Sequence, residues 1–503
     1  MRDVAVIGAG IAGSYAAWRL SHAKKGGEIA LFESSGRVGG RLWSVDLPDV
    51  PGVPAEMGGM YYSRQQPLVY DLVRKLGLAT DDVDSAQSLF YLRRHRLRLD
   101  DFSTPADVPY FLTDSETGQS PAQLLVAGLT AIAPGLKDYL PYTASDRPAV
   151  VAMLRSADFI GRPLWQWGFW NALSRVLSSE ALALIADGLG HRSVIGNGNA
   201  YDMILHMLAD MSGPYFHIRT GFQTLPETLA RQAGEAGAEI HLKHRLTRID
   251  IGADGAKLEF DTPDGPVRHS ARRVICALPP AALKGIQVTR TGNTVRWPAL
   301  LDSLSGVPAS KFFLVYPEPW WQDIPDGPGQ ITPGRVRISN TSLPACACYY
   351  WGATDYGDSG PALVLGAYAD DECVDFWAGA DPRDRLAPHP SSPFGPDIAD
   401  LRVTDHMMRM LNAQLEAMHG MTLPAPMGGL YQNWSLLPYG GAYHAWHAGL
   451  KSWETAAHLA QPFDDLPLYL CNEAYSEMHG WVEGALENTD ALLQSRFGTT
   501  GTC

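Results

Sequence analysis

VAVIGAGIAGSYAAWRLSHAKKGGEIALFESSGRVGGR, residues 4–41, decides the fold of this chain. Val4 to Ile7 is a short apolar run of the kind that forms a buried parallel strand. Gly8-Ala9-Gly10-Ile11-Ala12-Gly13 follows and opens into an apolar helix through Leu20. A second strand, Glu28 to Phe32, ends at Glu33, twenty residues beyond Gly13. Gly8 permits the tight turn, and Gly13 lets the helix pack close to the strand. Gly10, at the helix start that includes Ala12, lets a pyrophosphate approach the backbone. The helix N-terminus then faces the phosphates, and Glu33 can accept the adenosine ribose hydroxyls. In this order the parts read as a dinucleotide site.

Gly36-Arg37-Val38-Gly39-Gly40-Arg41 comes next. The nicotinamide end of NAD needs nothing here. A second glycine turn carrying two arginines resembles the extension found in the flavin amine oxidase family, where the second arginine helps neutralise FAD near its pyrophosphate and flavin end. The resemblance makes Gly40 and Arg41 cofactor contacts. Arg37 has the weaker claim and reads more readily as part of a solvated basic turn.

A chain of 503 residues with 46% apolar and 19% charged side chains is globular and too long for one small core, so two or three units are expected. The formal charge of −14 argues against nucleic acid and against anionic membranes as partners. No apolar run reaches the roughly 18 residues of a membrane span. The apolar N-terminus lacks a basic leader and a cleavage site, so it does not read as a signal peptide. Six cysteines form no CxxC pair and no repeated framework, which points to a reducing, cytoplasmic compartment. Thr499 to Cys503 reads as a disordered end with an exposed thiol. The pairs His241/His244 and His444/His447 lack further ligands at metal spacing, so no metal is expected.

Residues 67–77 show helical spacing with a glycine stop, and helical patterns dominate from about 100 to 215. Within them, Trp165, Trp167 and Trp170 read as aromatics on a buried helix face. From 239 to 277 the period changes to strands, broken by the hairpin signals Asp254-Gly255 and Asp264-Gly265. A second strand-rich block runs from about 309 to 378. A proline-rich passage covers 381–400, and helices are expected near 401–418 and 481–495, the latter after a short strand at 467–471. Cofactor segments thus enclose two excursions. The expected class is α/β: a doubly wound, Rossmann-like FAD domain of the GR2 type from residues 1–75, 205–280 and 430–495, a mixed-sheet substrate domain from 76–100 and 281–429, and a helical insertion from 101–204.

The resemblance to the flavin amine oxidases extends well beyond the first motif. Ala55-Glu56-Met57-Gly58-Gly59-Met60-Tyr61 is similar to the segment beside the flavin, with Gly58, Gly59 and Met60 presenting backbone. Gly221 to Pro226 resembles the return to the FAD domain, and Leu246 falls on the strand that meets the adenine. Ser310-Lys311-Phe312-Phe313-Leu314-Val315-Tyr316 resembles the strand of the family's active-site lysine. There Lys311 would hold a water beside the flavin and favour reduction of oxygen by its charge. Leu470-Cys471-Asn472-Glu473 and Gly480 to Leu486 look like the C-terminal FAD signature. By that likeness Glu473 accepts a ribityl hydroxyl, Gly480 and Trp481 approach the ring, and Val482 offers its N–H to the flavin pyrimidine at a helix start. Tyr443 and Trp481 fall where the family places two aromatic walls that steer an uncharged amine. Ala442 occupies the position at which the monoamine oxidases carry a flavin-bonded cysteine, so FAD here is expected to be noncovalent.

Asn433 to Trp446, Thr341 to Tyr350 and Leu470 to Leu486 are similar to the L-amino acid oxidases, the bacterial ones included. Segments near Leu314 and Ala474 also resemble L-tryptophan oxidase. The implied reaction oxidises an L-amino acid at Cα to an imine, which hydrolyses to a 2-oxo acid and ammonia while oxygen becomes hydrogen peroxide. Such enzymes bind the substrate carboxylate with an arginine and a tyrosine. Tyr350, or its neighbour Tyr349, fits the tyrosine, but the arginine position holds Tyr61. Arg64 and His191 are the candidates to replace it. The alternatives are a primary amine or polyamine oxidase, which Tyr61 favours, and an oxidative decarboxylase of the monooxygenase kind. A flavin-binding scaffold without turnover is disfavoured by Lys311, Tyr443 and Trp481. The partners expected are a small amine or amino acid and oxygen, within a homo-oligomer, most simply a dimer.

Overall fold

The computed structural model describes residues 1–23, 27–83, 87–211, 213–290, 292–324, 337–381 and 394–499. Cys503 and most of the proline-rich 381–400 passage lie outside them. Strand Arg2–Ile7 is the centre of a nine-stranded sheet. It pairs in parallel with Ile29–Phe32 on one side and with Gly265–Cys276 on the other. Gly265–Cys276 in turn pairs in parallel with Leu468–Leu470. Segments from the start, middle and end of the chain therefore meet in one sheet. The strand Val4–Ile7 is a continuous apolar run because it is covered on both faces.

Helix Ile11–His22 covers one face between helices Thr224–Glu235 and Val482–Phe497. A buried Arg19–Asp490 ion pair, with the Tyr15 hydroxyl donating to Asp490 at 3.1 Å, ties the first helix to the last. The last helix is fixed at its other end by Glu483, whose carboxylate accepts from the N–H groups of Leu68 (2.9 Å) and Val69 (2.8 Å). Those groups open helix Pro67–Lys75 and have no partner inside it, so Glu483 caps one helix from another.

The second sheet has seven strands in the order Gly428–Asn433, Ala309–Tyr316, Ala362–Asp370, Ala347–Ala353, Arg337–Thr341, Gln87–Leu92 and His95–Leu97. It is mixed, with one parallel pairing between Arg337–Thr341 and Gln87–Leu92. Helices from Pro121 to Asp210 form a third block with its own apolar core.

Two boundaries move. Strands Gln287–Arg290 and Asn293–Val295 extend the first sheet beyond residue 280, because Gln287–Thr289 pairs in parallel with Arg248–Asp250. The helical block passes residue 204, because helix Ala200–Asp210 is unbroken. The tryptophan cluster also differs from expectation. Trp165 stands on a single 3-10 turn, Trp167 donates to the Phe159 carbonyl at 3.0 Å, and Trp170 is 45% exposed. No one helix carries all three.

Gly13 shows how tightly the first turn is built. A Cβ there would lie 1.8 Å from the Gly8 carbonyl oxygen, a backbone atom that cannot swing aside. Gly13→Ala is expected to cost about 1–3 kcal/mol by overpacking and to lower the flavin bound per chain; thermal melting and the ratio of flavin to protein absorbance measure both.

Candidate active site

One cavity of about 1540 Å³ runs from the end of the first sheet, beneath the helical block, to the face of the second sheet. Pockets for a single drug-sized ligand occupy roughly 300–1,000 Å³, so this one has room for a long cofactor and a substrate. At its first end stand Gly8, Gly10, Ala12 and Glu33. Gly10 caps helix Ile11–His22 without any side chain, which leaves the N–H groups of the first turn facing the cavity. Glu33 accepts from Ala9 N–H at 2.7 Å through Oε2 and from Ser35 N–H at 2.8 Å and the Ser34 hydroxyl at 3.2 Å through Oε1. Among the described residues one acceptor position on Oε2 stays open. Leu246 also lines the cavity. Gly13 does not line the cavity and serves the helix–strand contact instead.

The second glycine turn packs on the first, with Gly39 N–H bonded to the Ala9 carbonyl at 2.9 Å. Arg37 is not a solvated residue. Its guanidinium donates to the carbonyls of Leu42 (3.1 Å) and Gly40 (2.6 Å) and lies 4.3 Å from the Trp43 ring, so it clamps the turn. Gly40 and Arg41 line the cavity. Arg41 donates to the Ala442 carbonyl at 2.8 Å and Asn472 Oδ1 at 3.0 Å, and pairs with Glu473 Oε2 at 2.9 Å.

Glu473 is held by several protein groups. Oε1 accepts from His444 N–H and Gly480 N–H, both at 3.0 Å, while Oε2 takes Arg41 and lies 3.1 Å from His444 Nδ1. A carboxylate offers about four acceptor sites, and protein donors fill them all. Burial opposes the charge, but Arg41 and His444 outweigh it and hold Glu473 well below the usual carboxylate range. Within the protein it is a clamp that ties Arg41, His444 and Gly480 together.

Tyr443 and Trp481 both line the middle of the cavity. Each is backed by a parallel ring: Tyr443 by His206 (5.8 Å, 7°) and Trp481 by Tyr215 (6.2 Å, 10°). Gly480 has φ of +78°, and a Cβ on it would come within 3.1 Å of His206 and 3.6 Å of Tyr443. Gly59, Met60, Val482 and Ala442 also line this region, whereas Gly58 does not. Gly58 is pressed against Arg41, and its carbonyl accepts from Lys311 Nζ at 2.5 Å.

All of strand Ala309–Tyr316 is buried, and Lys311 with it. Nζ also donates to the Glu56 carbonyl at 3.0 Å and lies 4.8 Å from the Tyr368 ring, one layer behind the cavity wall. Burial lowers its pKa far below the ordinary lysine value, while the nearby Glu56 charge opposes the shift. The Glu56 carboxyl, pushed up by burial, accepts from Phe222 N–H and the Ser44 hydroxyl.

Tyr61 and His191 reach the far end of the cavity. Tyr61 stacks on Trp351 (5.9 Å, 19°), and its buried hydroxyl has no partner among the described residues. His191 meets the Tyr368 ring edge-on at 4.7 Å and lies 3.8 Å from Asp370 Oδ2. Tyr350 is a correction: its hydroxyl bonds Ser339 Oγ (2.7 Å) and His419 Nε2 (3.1 Å) in the core on the opposite side of the sheet. Neighbours on a strand point to opposite faces, and Tyr349 is the one that lines the cavity. Arg64 does not line it; its guanidinium lies over Tyr70 and Phe216. His206, Asp210, Tyr368 and Asp370 line the cavity without having been expected. His206 and Asp210 are four residues apart on helix Ala200–Asp210, a spacing that puts both on one face.

The model for flavin-containing amine oxidoreductases matches residues 11–388. The chain belongs to that family. It is 26% identical to Aplysianin-A from Aplysia kurodai over 98% of this chain and 90% of that protein. It is 23% identical to the L-amino acid oxidase bordonein-L from Crotalus durissus terrificus over 97% of this chain and 85% of that one. Among solved structures, wild-type putrescine oxidase bound to putrescine superposes with a TM-score of 0.67 at 20% identity, covering 98% of each chain. The residues present fit FAD: uncapped helical N–H groups, Glu33 and Arg41 at one end, the aromatic pair at the other. This member of the family is an FAD-dependent oxidoreductase. No helix of the described residues is long and apolar enough to cross a membrane, and no group of three or more metal-binding side chains occurs among them.

Ala442 brings no nucleophile to the cavity. Acid precipitation of the flavin-loaded protein is expected to leave the yellow colour in the supernatant; colour retained in the pellet would mean a covalent bond elsewhere.

Proposed function

We propose that this protein is an FAD-dependent oxidase that deaminates an L-amino acid to the imine and then the 2-oxo acid and ammonia, with hydrogen peroxide formed from oxygen. The observation that carries this reading is one cavity lined both by the cofactor turns and by Tyr443, Trp481, Tyr61, Tyr349 and Tyr368, with Lys311 behind the Tyr368 ring. Likeness to the Crotalus oxidase along nearly the whole chain supports an α-amino acid as substrate.

When bound, FAD supplies the two-electron acceptor for the Cα–H bond and passes the electrons to oxygen. The chain's own residues do the rest. Tyr443 and Trp481 give the reacting nitrogen two apolar faces, which disfavour an ammonium and favour the neutral amine. No dedicated base is needed if the amine arrives neutral. Tyr61 has a buried hydroxyl to donate, and a substrate carboxylate would satisfy an otherwise unpaired group. Lys311, held between the carbonyls of Glu56 and Gly58, supplies a positive charge that stabilises negative charge growing on oxygen.

A primary amine or polyamine oxidase is the second reading. It is favoured because no arginine or lysine among the described residues lines the far end of the cavity, and an unpaired buried carboxylate costs several kcal/mol by order of magnitude. We further propose a homodimer in a reducing, cytoplasmic compartment. The five described cysteines, all buried and free, support the compartment, and light scattering reads the dimer.

The twenty L-amino acids and a series of amines, mixed anaerobically with the enzyme, test the reaction by flavin bleaching. The expected result is bleaching by L-amino acids, then peroxide and 2-oxo acid on re-aeration. Bleaching by carboxylate-free amines alone removes the leading reading, and an amide product would make the enzyme a decarboxylating monooxygenase.

Lys311→Met is expected to slow reoxidation by oxygen about 10- to 1,000-fold with FAD content nearly unchanged. Because burial draws the Lys311 pKa down to about 7, its charge is present below that pH and lost above it. Wild-type reoxidation should therefore slow between pH 6 and pH 9, on the order of this pKa, and the variant should be flat; stopped-flow mixing with oxygen measures both.

A further inference from the structure

We propose that Cys346 and Cys373 form a peroxide-sensitive dithiol site, which closes to a disulfide under hydrogen peroxide and is reopened by thiols. Hydrogen peroxide is the product of the proposed oxidase reaction. The source of the oxidant therefore rests on the oxidase reading, whereas the chemistry of the site does not.

The two cysteines come from different elements. Cys346 closes the turn between strands Arg337–Thr341 and Ala347–Ala353, with φ of +59°. Its N–H donates to the Leu343 carbonyl at 2.9 Å, and its carbonyl accepts from Thr341 N–H at 2.8 Å. Cys373 is the second residue of helix Glu372–Ala380. Two contacts clasp the turn to the helix. Arg192 pairs with Glu372 Oε1 at 2.5 Å and donates to the Ser342 carbonyl at 3.4 Å. Trp377 Nε1 donates to the Pro344 carbonyl at 2.8 Å. Within this clasp the two thiols face each other. Both are buried in the same apolar core, yet they lie near the surface, since Arg192 and Glu372 keep contact with solvent.

The pair is polarised. A hydrogen bond from the Cys346 thiol lowers the Cys373 pKa, and the Arg192 charge adds to the effect while burial opposes it. The first turn of the Cys373 helix has no side-chain cap and acts in the same direction. The same hydrogen bond, together with burial, raises the Cys346 pKa. Cys373 is thus the thiolate and Cys346 holds the proton. Cys276, Cys348 and Cys471 are instead pushed up by burial.

A thiolate attacks peroxide where a thiol does not. The Cys373 sulfur attacks one peroxide oxygen; the S–O bond forms, the O–O bond breaks and hydroxide leaves, giving a sulfenic acid. Hydroxide takes the Cys346 proton. The Cys346 sulfur then attacks the Cys373 sulfur, and the S–O bond breaks with loss of a second hydroxide, which is protonated to water. Counted from two thiols, the sulfurs lose two electrons and one peroxide becomes two waters. Thiol exchange in a reducing compartment reverses the closure.

The site adjoins the substrate end of the cavity through the backbone. Cys346 bridges Tyr368, which lines the cavity. Asp370, at the end of strand Ala362–Asp370, accepts from the N–H groups of Arg192 (2.8 Å) and Ser193 (3.1 Å) and so holds the helical block on the sheet. Closing the pair therefore acts on the strand end that positions both.

The test adds hydrogen peroxide to the reduced, flavin-loaded protein without substrate, so an enzyme inert toward every amine leaves it intact. Chymotryptic mapping without reduction is expected to show a Cys346–Cys373 cross-link that dithiothreitol reverses. Cys373 should react at least about 10-fold faster than Cys276, Cys348 or Cys471. In Cys346→Ser the reaction should stop at a sulfenic acid on Cys373, trapped by dimedone on unfolding. In Cys373→Ser, Cys346 should stay reduced. Survival of both thiols in wild type, a cross-link through Cys348 instead, or equal oxidation of Cys276 and Cys471 overturns the proposal and leaves the oxidase reading standing. Unaltered FAD content and melting temperature show that each variant is folded.

Discussion

The cavity depends on one buried carboxylate. Glu473 receives Arg41 from the second glycine turn, His444 from the strand after Tyr443, and the Gly480 N–H just before Trp481. Three chain segments, the first of them far from the other two in sequence, thus converge on two oxygen atoms. Tyr443 and Trp481 are each one residue from a group that Glu473 holds. The arrangement is stable only as a whole. Removing one partner of a buried charge pair typically costs about 3–5 kcal/mol, because the other charge is then left without compensation. Arg41 adds the Ala442 carbonyl and Asn472 to the same network, which carries the order of the cofactor turn into the substrate end.

The cofactor end of this site was legible in the sequence because its chemistry is local. Gly8, Gly10 and Gly13 act within one turn, and Glu33 follows at the end of the next strand. Spacing alone carries such information. The C-terminal pieces, Glu473 and Gly480 to Val482, were legible as positions but not as roles. That Glu473 is saturated by protein donors depends on where His444 and Arg41 arrive, and no local pattern encodes that meeting.

The substrate end was less legible for two physical reasons. Strand Ala347–Ala353 is buried on both faces, so apolar and polar residues do not alternate and nothing distinguishes Tyr349 from Tyr350. One faces the cavity and the other a core of Trp320, Trp321 and His419. The helical block raises the second difficulty. Periodicity marks which face of helix Ala200–Asp210 is shared by His206 and Asp210, but the helix is buried along most of its length. Which buried face meets a cavity follows from docking, and here the docking runs through Asp370 and the backbone of Arg192 and Ser193.

The two ends of the cavity also differ in charge, and the difference bears on the chemistry. Arg41 sits where phosphate and flavin charge must be held, whereas the far end carries carboxylates and neutral hydroxyls. A carboxylate close to the reacting nitrogen would hold that nitrogen protonated, since an opposite charge within about 4–6 Å favours the charged form. In this protein the rings of Tyr443 and Trp481 line the cavity, while Asp210 ends a helix and Asp370 ends a strand.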